Sequence, residues 1–432
     1  MTGPRIAVVG AGWAGIAAAV ACVDAGARVR VFESARVAGG RARSVTVDGP
    51  DGQPLVLDNG QHILIGAYSE TLDLMRRVGV APADALLRLP LAVRYPDGAG
   101  LVLPDWPAPW DALAGMLRAP GWGLGDRASL LRHAALWQLR GFRCDAGATV
   151  ADLCARLAPR VRADLIDPLC VAALNTPADR ASGTVFLRVL RDSLFGRGWG
   201  DWGASNLLLP RVPLGQLLPE AALAWLRRHG AEVVTGHRVA TLVPSERRWL
   251  LDGLPFDHVV LACPPWEAAR LTDTAGAGAS AWRAQAQGLD FEAIATVYAQ
   301  AAHSLPAPML ALRHTPQAPA QFAFDRGQLG GPAGLLAFVV SASGRERETV
   351  EAQVVAQAAH LGWPVKLLRT VVEKRATFAC LPGLQRPGTA ISPGLWACGD
   401  YVEGPYPATL EGAVRSGLDV AARISAGVPP AR

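Results

Sequence analysis

Gly10, Gly12 and Gly15 stand at G-x-G-x-x-G spacing, with Trp13 and Ala14 between the last two. The carboxylate of Glu33 closes the next apolar run. This set of types can hold a dinucleotide. Gly10 permits a tight turn, Gly12 lets the backbone approach a pyrophosphate, and Gly15 lets a helix pack closely on a sheet. The helix N-terminus faces the phosphate charge, and Glu33 can accept hydrogen bonds from the adenosine ribose. A second group, Asp58-Asn59-Gly60-Gln61-His62, places an imidazole that titrates near neutrality where it can act on a bound molecule.

These groups need specific elements to carry them. Arg5–Val9 and Arg28–Phe32 read as parallel strands, continuous in apolar residues because both faces are covered. A hairpin of Ser44–Val47 and Leu55–Leu57 delivers the Asp58–His62 block, and another spans Leu91–Leu103 around Pro96-Asp97-Gly98. Gly230–Thr241 and Phe256–Pro265 read as a β-meander whose last strand returns to the main sheet. Leu395–Cys398 is a further apolar run, followed by Gly399-Asp400 and a helix start at Thr409–Val414. The expected class is therefore α/β, a Rossmann-type dinucleotide domain with an α+β substrate domain inserted in pieces. The dinucleotide domain takes 1–71, 212–269 and 386–432, and the substrate domain takes 72–211 and 270–385.

Composition agrees. The 432 residues exceed the size of one growing core. Half are apolar and 18% charged. A net charge of +5 without a Lys/Arg run gives no reason to expect nucleic acid. The N-terminus enters a strand at once, so no signal peptide is expected, and no apolar run reaches spanning length. Seven scattered cysteines without C-x-x-C fit reduced thiols in the cytoplasm rather than a disulfide framework or a metal site, so no metal is expected.

Ala38–Arg43, AGGRAR, resembles the Gly-Gly-Arg that follows the second strand in the amine-oxidase and carotenoid-desaturase flavoproteins. The resemblance implies non-covalent FAD in a glutathione-reductase-like, amine-oxidase-type domain, with Gly39, Gly40 and Arg41 near its phosphates. A planar guanidinium suits that task. Arg43 is either a second such contact or solvated. The resemblance further implies that Val239 or its neighbour meets the adenine through its backbone, and that Gly399 and Asp400 hold the ribityl chain or a phosphate-linked water network. The helix start at Thr409, Leu410 and Glu411 would point at the flavin N1–O2 edge, which becomes negative on reduction. An ordinary capped helix is the plainer reading of that segment.

DNGQHILIGAY (58–68), AALNTP (172–177), LLLPRVPLGQL (207–217) and EGPYPATLEG (403–412) narrow the match. Together they resemble the squalene-associated FAD-dependent desaturases, understood as hydroxysqualene dehydroxylases of bacterial hopanoid synthesis. That implies reduction of hydroxysqualene to squalene by hydride from flavin N5, with NADPH or a reduced carrier as outside donor. Association with other squalene-synthesis enzymes is also implied. His62 is the first candidate for the acid that helps the hydroxyl leave. The alternative is that His62 and Gln61, with Gly60, only hydrogen-bond the flavin. Asn175 and Tyr406 could orient the hydroxyl, whereas Asp58 reads as a structural turn acid. Arg191, Asp192 and Asp201 read as a solvated loop near Trp199 and Trp202.

Two other classes remain open on the sequence: an oxidative polyprenoid desaturase, and a non-catalytic flavin-binding lipid carrier or scaffold. An amine oxidase fits less well, because Pro405–Thr409 holds no cysteine for covalent flavin and the chain has only five Tyr. A lipid substrate raises the question of a membrane. Residues 105–143 interleave Trp106, Trp110, Trp122 and Trp137 with Arg118, Arg127, Arg132, Arg140 and Arg143. Helical periodicity over Asp126–Phe142 puts Arg132, His133 and Arg140 on one arc. This is either an interfacial helix, which would place the protein peripherally on the inner face of the cytoplasmic membrane, or a roof over the substrate cavity.

Overall fold

The computed structural model describes residues 3–49, 52–246 and 248–427. Its organising element is a six-stranded sheet in the order Glu232–Thr235, Arg28–Glu33, Arg5–Val9, His258–Leu261, Leu395–Ala397, Ala390–Ser392. All neighbours are parallel except the last pair. The apolar continuity of these strands has the anticipated cause. Ile6, Val8, Val31, Val260 and Trp396 face a layer of helices, while Ala7, Val9, Phe32, Val259 and Leu261 face the opposite core.

The helical layer is Trp13–Asp24, Pro219–Arg228 and Leu410–Ser425. Its first and last members approach closely because Gly417 has no side chain. A Cβ there would lie 2.2 Å from the Ala14 carbonyl oxygen and 2.8 Å from Ala18 N. On the other face lies a three-stranded antiparallel meander of Leu242–Ser245, Arg248–Leu251 and Leu254–Phe256. The sequence reading placed Gly230–Thr241 in that meander. Glu232–Thr235 instead pairs with Arg28–Glu33 as the parallel edge of the main sheet.

A second, five-stranded antiparallel sheet runs Met309–Ala311, Phe322–Asp325, Leu335–Ser341, Phe291–Ala301, Val365–Phe378. One face packs on the helix Arg347–His360 through Ala295, Val297, Leu336 and Phe338. The other carries Tyr298, Phe322, Phe324, Ala337 and Val339 into the same core as the meander. A small sheet of Leu64–Ile65, Leu207–Pro210 and Leu86–Leu89 draws strands from both sides of the expected boundary at 71/72 and ends beside that at 211/212. The hairpin around Asp97 forms from Ala92–Arg94 and Gly100–Val102.

The Trp/Arg segment is two helices, Trp110–Arg118 and Leu124–Leu139. Of the polar arc read for the second, Arg132 and Arg140 are exposed, but His133 is not. Leu130, His133 and Trp137 recur on its buried face, and His133 Nδ1 sits 2.8 Å from Ser129 O. Trp122 and Trp137 are core residues, whereas Trp106 and Trp110 are exposed. Among the described residues no helix is long and apolar enough to cross a membrane.

The helix contact at Gly417 yields a stability expectation. Gly417→Ala should cost about 1–3 kcal/mol through overpacking against backbone, read as a lower denaturant midpoint with an unchanged slope.

Candidate functional site

The glycine loops are built against one another at the C-terminal ends of the parallel strands. Gly10 N donates to Phe32 O at 2.7 Å, and Gly39 N donates to Ala11 O at 2.8 Å. Gly10 has φ +111°, and a Cβ there would lie 2.6 Å from Ala262 O. A Cβ at Gly15 would lie 2.0 Å from Gly10 O. The chain's own packing demands both glycines. Gly12 is different. Its φ is −73° and a Cβ would meet nothing nearer than Gly40 Cα, at 3.9 Å. The chain's own packing does not demand glycine here, and the room it leaves lies at the N-terminus of the Trp13–Asp24 helix, where an anion is favoured.

Glu33 is buried, and its carboxylate accepts from Ala11 N at 2.7 Å and Ala35 N at 2.8 Å. It therefore fixes the glycine loop while retaining acceptor lone pairs for a ribose. Beside it is an open cleft lined by Phe32, His237, Val239, Cys263, Pro264 and Trp266 among others. Val239 is buried there, with its carbonyl accepting from Arg270 Nη2 at 2.7 Å.

Arg41 and Asp400, expected to hold different parts of one cofactor, hold each other in an ion pair. Arg41 also donates to Ala376 O at 2.6 Å, and Arg43 donates to the Gly40 carbonyl. Gly399 N donates to Ser416 Oγ at 2.9 Å, which fixes the loop to the last helix. Thr409 caps that helix, its Oγ1 accepting from Gly412 N at 2.9 Å. Glu411, read as offering its backbone amide at this helix start, also has a side-chain task. It is fully buried, and its carboxylate accepts from Glu70 N, Thr71 N and Thr71 Oγ1 at 3.2, 3.0 and 2.7 Å. It thereby caps the Ser69–Arg77 helix, with Arg415 Nε at 2.7 Å balancing its charge.

The Asp58–His62 block is held by residues the sequence did not flag. Asp58 accepts from Leu214 N at 2.8 Å and faces Arg326 at 3.6 Å. Burial pushes its carboxyl up, against the opposing effects of Leu214, Arg326 and Ser44. Tyr298 Oη donates to Asp58 O at 2.8 Å and accepts from Gln61 Nε2 at 2.9 Å. A local signal for Tyr298 and Arg326 was absent because they come from the distant five-stranded sheet. His62 is held neutral: burial, then the Arg41 guanidinium, brings its pKa down to about 4. Thr296 Oγ1 is 3.9 Å from a Cβ built at Gly60, and it is buried without a hydrogen-bond partner among the described residues. The buried hydroxyl of Tyr401 is in the same condition. Buried orphans of this kind fit a molecule that brings its own polar atoms.

Asn175, expected to orient a substrate hydroxyl, is spent on the fold. It ends the Asp167–Leu174 helix at φ +46°, donates to Thr377 Oγ1 at 2.9 Å and accepts from Ala342 N at 2.8 Å. Tyr406 lies between Arg188 and Arg415, 5.8 and 5.2 Å from its ring. Its phenol bonds Asp192, and burial, then that carboxylate, raises its pKa. Burial raises the Asp192 carboxyl as well, but hydrogen bonds from Arg188, Arg191 and Tyr406 bring it below its usual range. Arg191 and Asp192 belong to the helix Gly183–Phe195 rather than to a solvated loop.

The chain matches the family model of flavin-containing amine oxidoreductases over residues 13–425. It is 30% identical to a hydroxysqualene dehydroxylase of Rhodopseudomonas palustris, covering 95% of this chain and 96% of that protein. A protein of the same description from Zymomonas mobilis is 26% identical, covering 96% and 97%. An oxidoreductase from Methanosarcina mazei shares the fold at a TM-score of 0.73 and 16% identity, covering 96% of this chain and 99% of that one. The glycine loops, the parallel sheet and these relatives lead to one assignment: the chain belongs to the flavin-containing amine oxidoreductase family, in its hydroxysqualene dehydroxylase branch, and is an FAD-dependent, polyprenoid-modifying oxidoreductase.

Proposed function

We propose that this enzyme reduces hydroxysqualene to squalene. The observation that carries the reading is the similarity to hydroxysqualene dehydroxylases along nearly the whole chain. Reduced FAD, when bound, supplies the hydride that replaces the hydroxyl; with a proton, the alcohol becomes squalene and water. The electrons come from outside the chain, from NADPH or a reduced carrier.

The residues divide the remaining work. Gly10, Gly12, Trp13, Ala14 and Gly15 present the helix N-terminus to the pyrophosphate, and Glu33 holds the ribose. Gly39 and Gly40 close the phosphate side, while Arg41 and Asp400 brace the ribityl side beside Gly399. Thr409 and Leu410 offer amides to the flavin edge, and Val239 borders the adenine. Gly60, Gln61 and His62 border the reacting face. His62 acts there as a neutral hydrogen-bonding group, because its low pKa leaves no cationic acid at neutral pH. Phe322, Phe324, Ala337 and Val339 form an apolar wall for a polyprenoid chain and keep water from an allylic cation.

Three outcomes test this division. Anaerobic mixing of pre-reduced enzyme with hydroxysqualene in detergent should reoxidise the flavin and give stoichiometric squalene. Flavin that stays reduced with the alcohol intact would refute the reading. Gly12→Val should leave the unfolding midpoint of the FAD-free protein nearly unchanged, yet weaken FAD binding by about tenfold or more, since the added group meets the ligand and not the chain. For His62 the sign follows from its depressed pKa: the unfolded imidazole takes up a proton near pH 6.5 and the folded one only near 4. Wild type should therefore lose stability as pH falls from 6.5 toward 4, and His62→Gln should lose less over the same window in denaturant titrations.

A further inference from the structure

Most amphipathic helices bury their apolar stripe. Trp110–Arg118 turns part of its own outward. Asp111, Ala112, Ala114 and Gly115 are its buried residues, and Gly115 sits so close that a Cβ would lie 2.4 Å from Leu103 Cδ2. Trp110, Leu113 and Leu117, at i, i+3 and i+7, are 62%, 38% and 47% exposed. Trp106 precedes them, half-exposed, with the Arg118 guanidinium 5.3 Å above its ring. The following helix, Leu124–Leu139, adds Leu124 and Leu139 at its two ends, 82% and 84% exposed. Scattered single apolar residues would mean nothing, but a patch of this kind marks a docking surface.

The surrounding charge identifies what docks. The acids of this segment are already engaged: Asp105 pairs with Arg88, Asp111 is buried against Ser205, Asp126 accepts from Gly123 N, and Asp145 accepts from Gly147 N. Arg118, Arg132, Arg140 and Arg143 remain exposed around the patch. Tryptophans and leucines ringed by exposed arginines match an anionic lipid interface, where aromatic rings lie at headgroup depth and guanidinium groups meet phosphates. Beneath the patch, Leu130 and Trp137 belong to the apolar core that also contains Phe322 and Phe324 of the sheet wall.

We propose that Trp106, Trp110, Leu113, Leu117, Leu124 and Leu139 form a face that seats this protein on an anionic bilayer without spanning it. The face stands on exposure and charge alone and is independent of which polyprenoid the enzyme modifies. The test is flotation of the FAD-loaded enzyme with phosphatidylglycerol/phosphatidylethanolamine vesicles and with phosphatidylcholine vesicles. Flavin absorbance and the unfolding midpoint check each variant. Wild type should float with the anionic vesicles, and Trp110→Asp with Leu117→Asp should reduce the bound fraction by about tenfold. Arg132→Gln, Arg140→Gln and Arg143→Gln together should abolish the preference for anionic over neutral vesicles, which decides the matter should the aspartate variant fail to fold. Val243→Asp, an exposed apolar position on the meander, should change nothing. The proposal falls if wild type floats with neither vesicle, or if the patch variants float as wild type does. It also falls if an oligomer becomes a monomer in the aspartate variant, which would make the patch a protein interface.

Discussion

The ion pair between Arg41 and Asp400 joins residues 359 positions apart, and the shape of the cofactor cleft depends on it. Arg41 extends from the loop that donates Gly39 N to Ala11 O; Asp400 extends from the loop that Ser416 ties to the last helix. Their contact closes the ring of loops around the strand ends. A carboxylate as enclosed as Asp400 needs a partner, because an unpaired charge in such a place costs several kcal/mol. The same guanidinium is the second cause, after burial, of the low His62 pKa. One cation therefore joins the loops of the cleft and adds to the effect of burial on the imidazole beside it.

Around that clasp the polar groups divide into those the chain satisfies and those it leaves for a ligand. Asp58, Gln61, Tyr298 and Arg326 form a closed network within the protein. Glu411 and Asn175 are likewise consumed, one capping a helix and the other ending one. Thr296 and Tyr401 are not, and neither is the space over Gly12.

The parts legible in the sequence were those whose cause is local. Gly10-x-Gly12-x-x-Gly15, Glu33 and the strands on either side of Gly10 announce themselves because turn geometry and sheet burial act over a few residues. Hidden were features created by contacts across hundreds of positions. The acid Glu411 reads as a helix-start residue until Thr71 is placed above it. Tyr298 reads as one more strand aromatic until Asp58 is brought to its hydroxyl. His133 was misassigned for a related reason: periodicity gives the angle of a side chain around its helix but not which side the rest of the protein occupies. Helical angle likewise could not tell that Trp122 and Trp137 are core while Trp106 and Trp110 face outward.

The main sheet takes strands from Arg5–Val9 through Leu395–Ala397, and the adjacent strands Arg5–Val9 and Arg28–Glu33 are flanked by His258–Leu261 and Glu232–Thr235, which come hundreds of residues later. The first glycine loop and the residues that close the cleft are separated by most of the sequence. Loop-closure entropy over such separations makes assembly slow and late. Until the Leu410–Ser425 helix docks, the apolar side of the Trp13–Asp24 helix that it covers stays open.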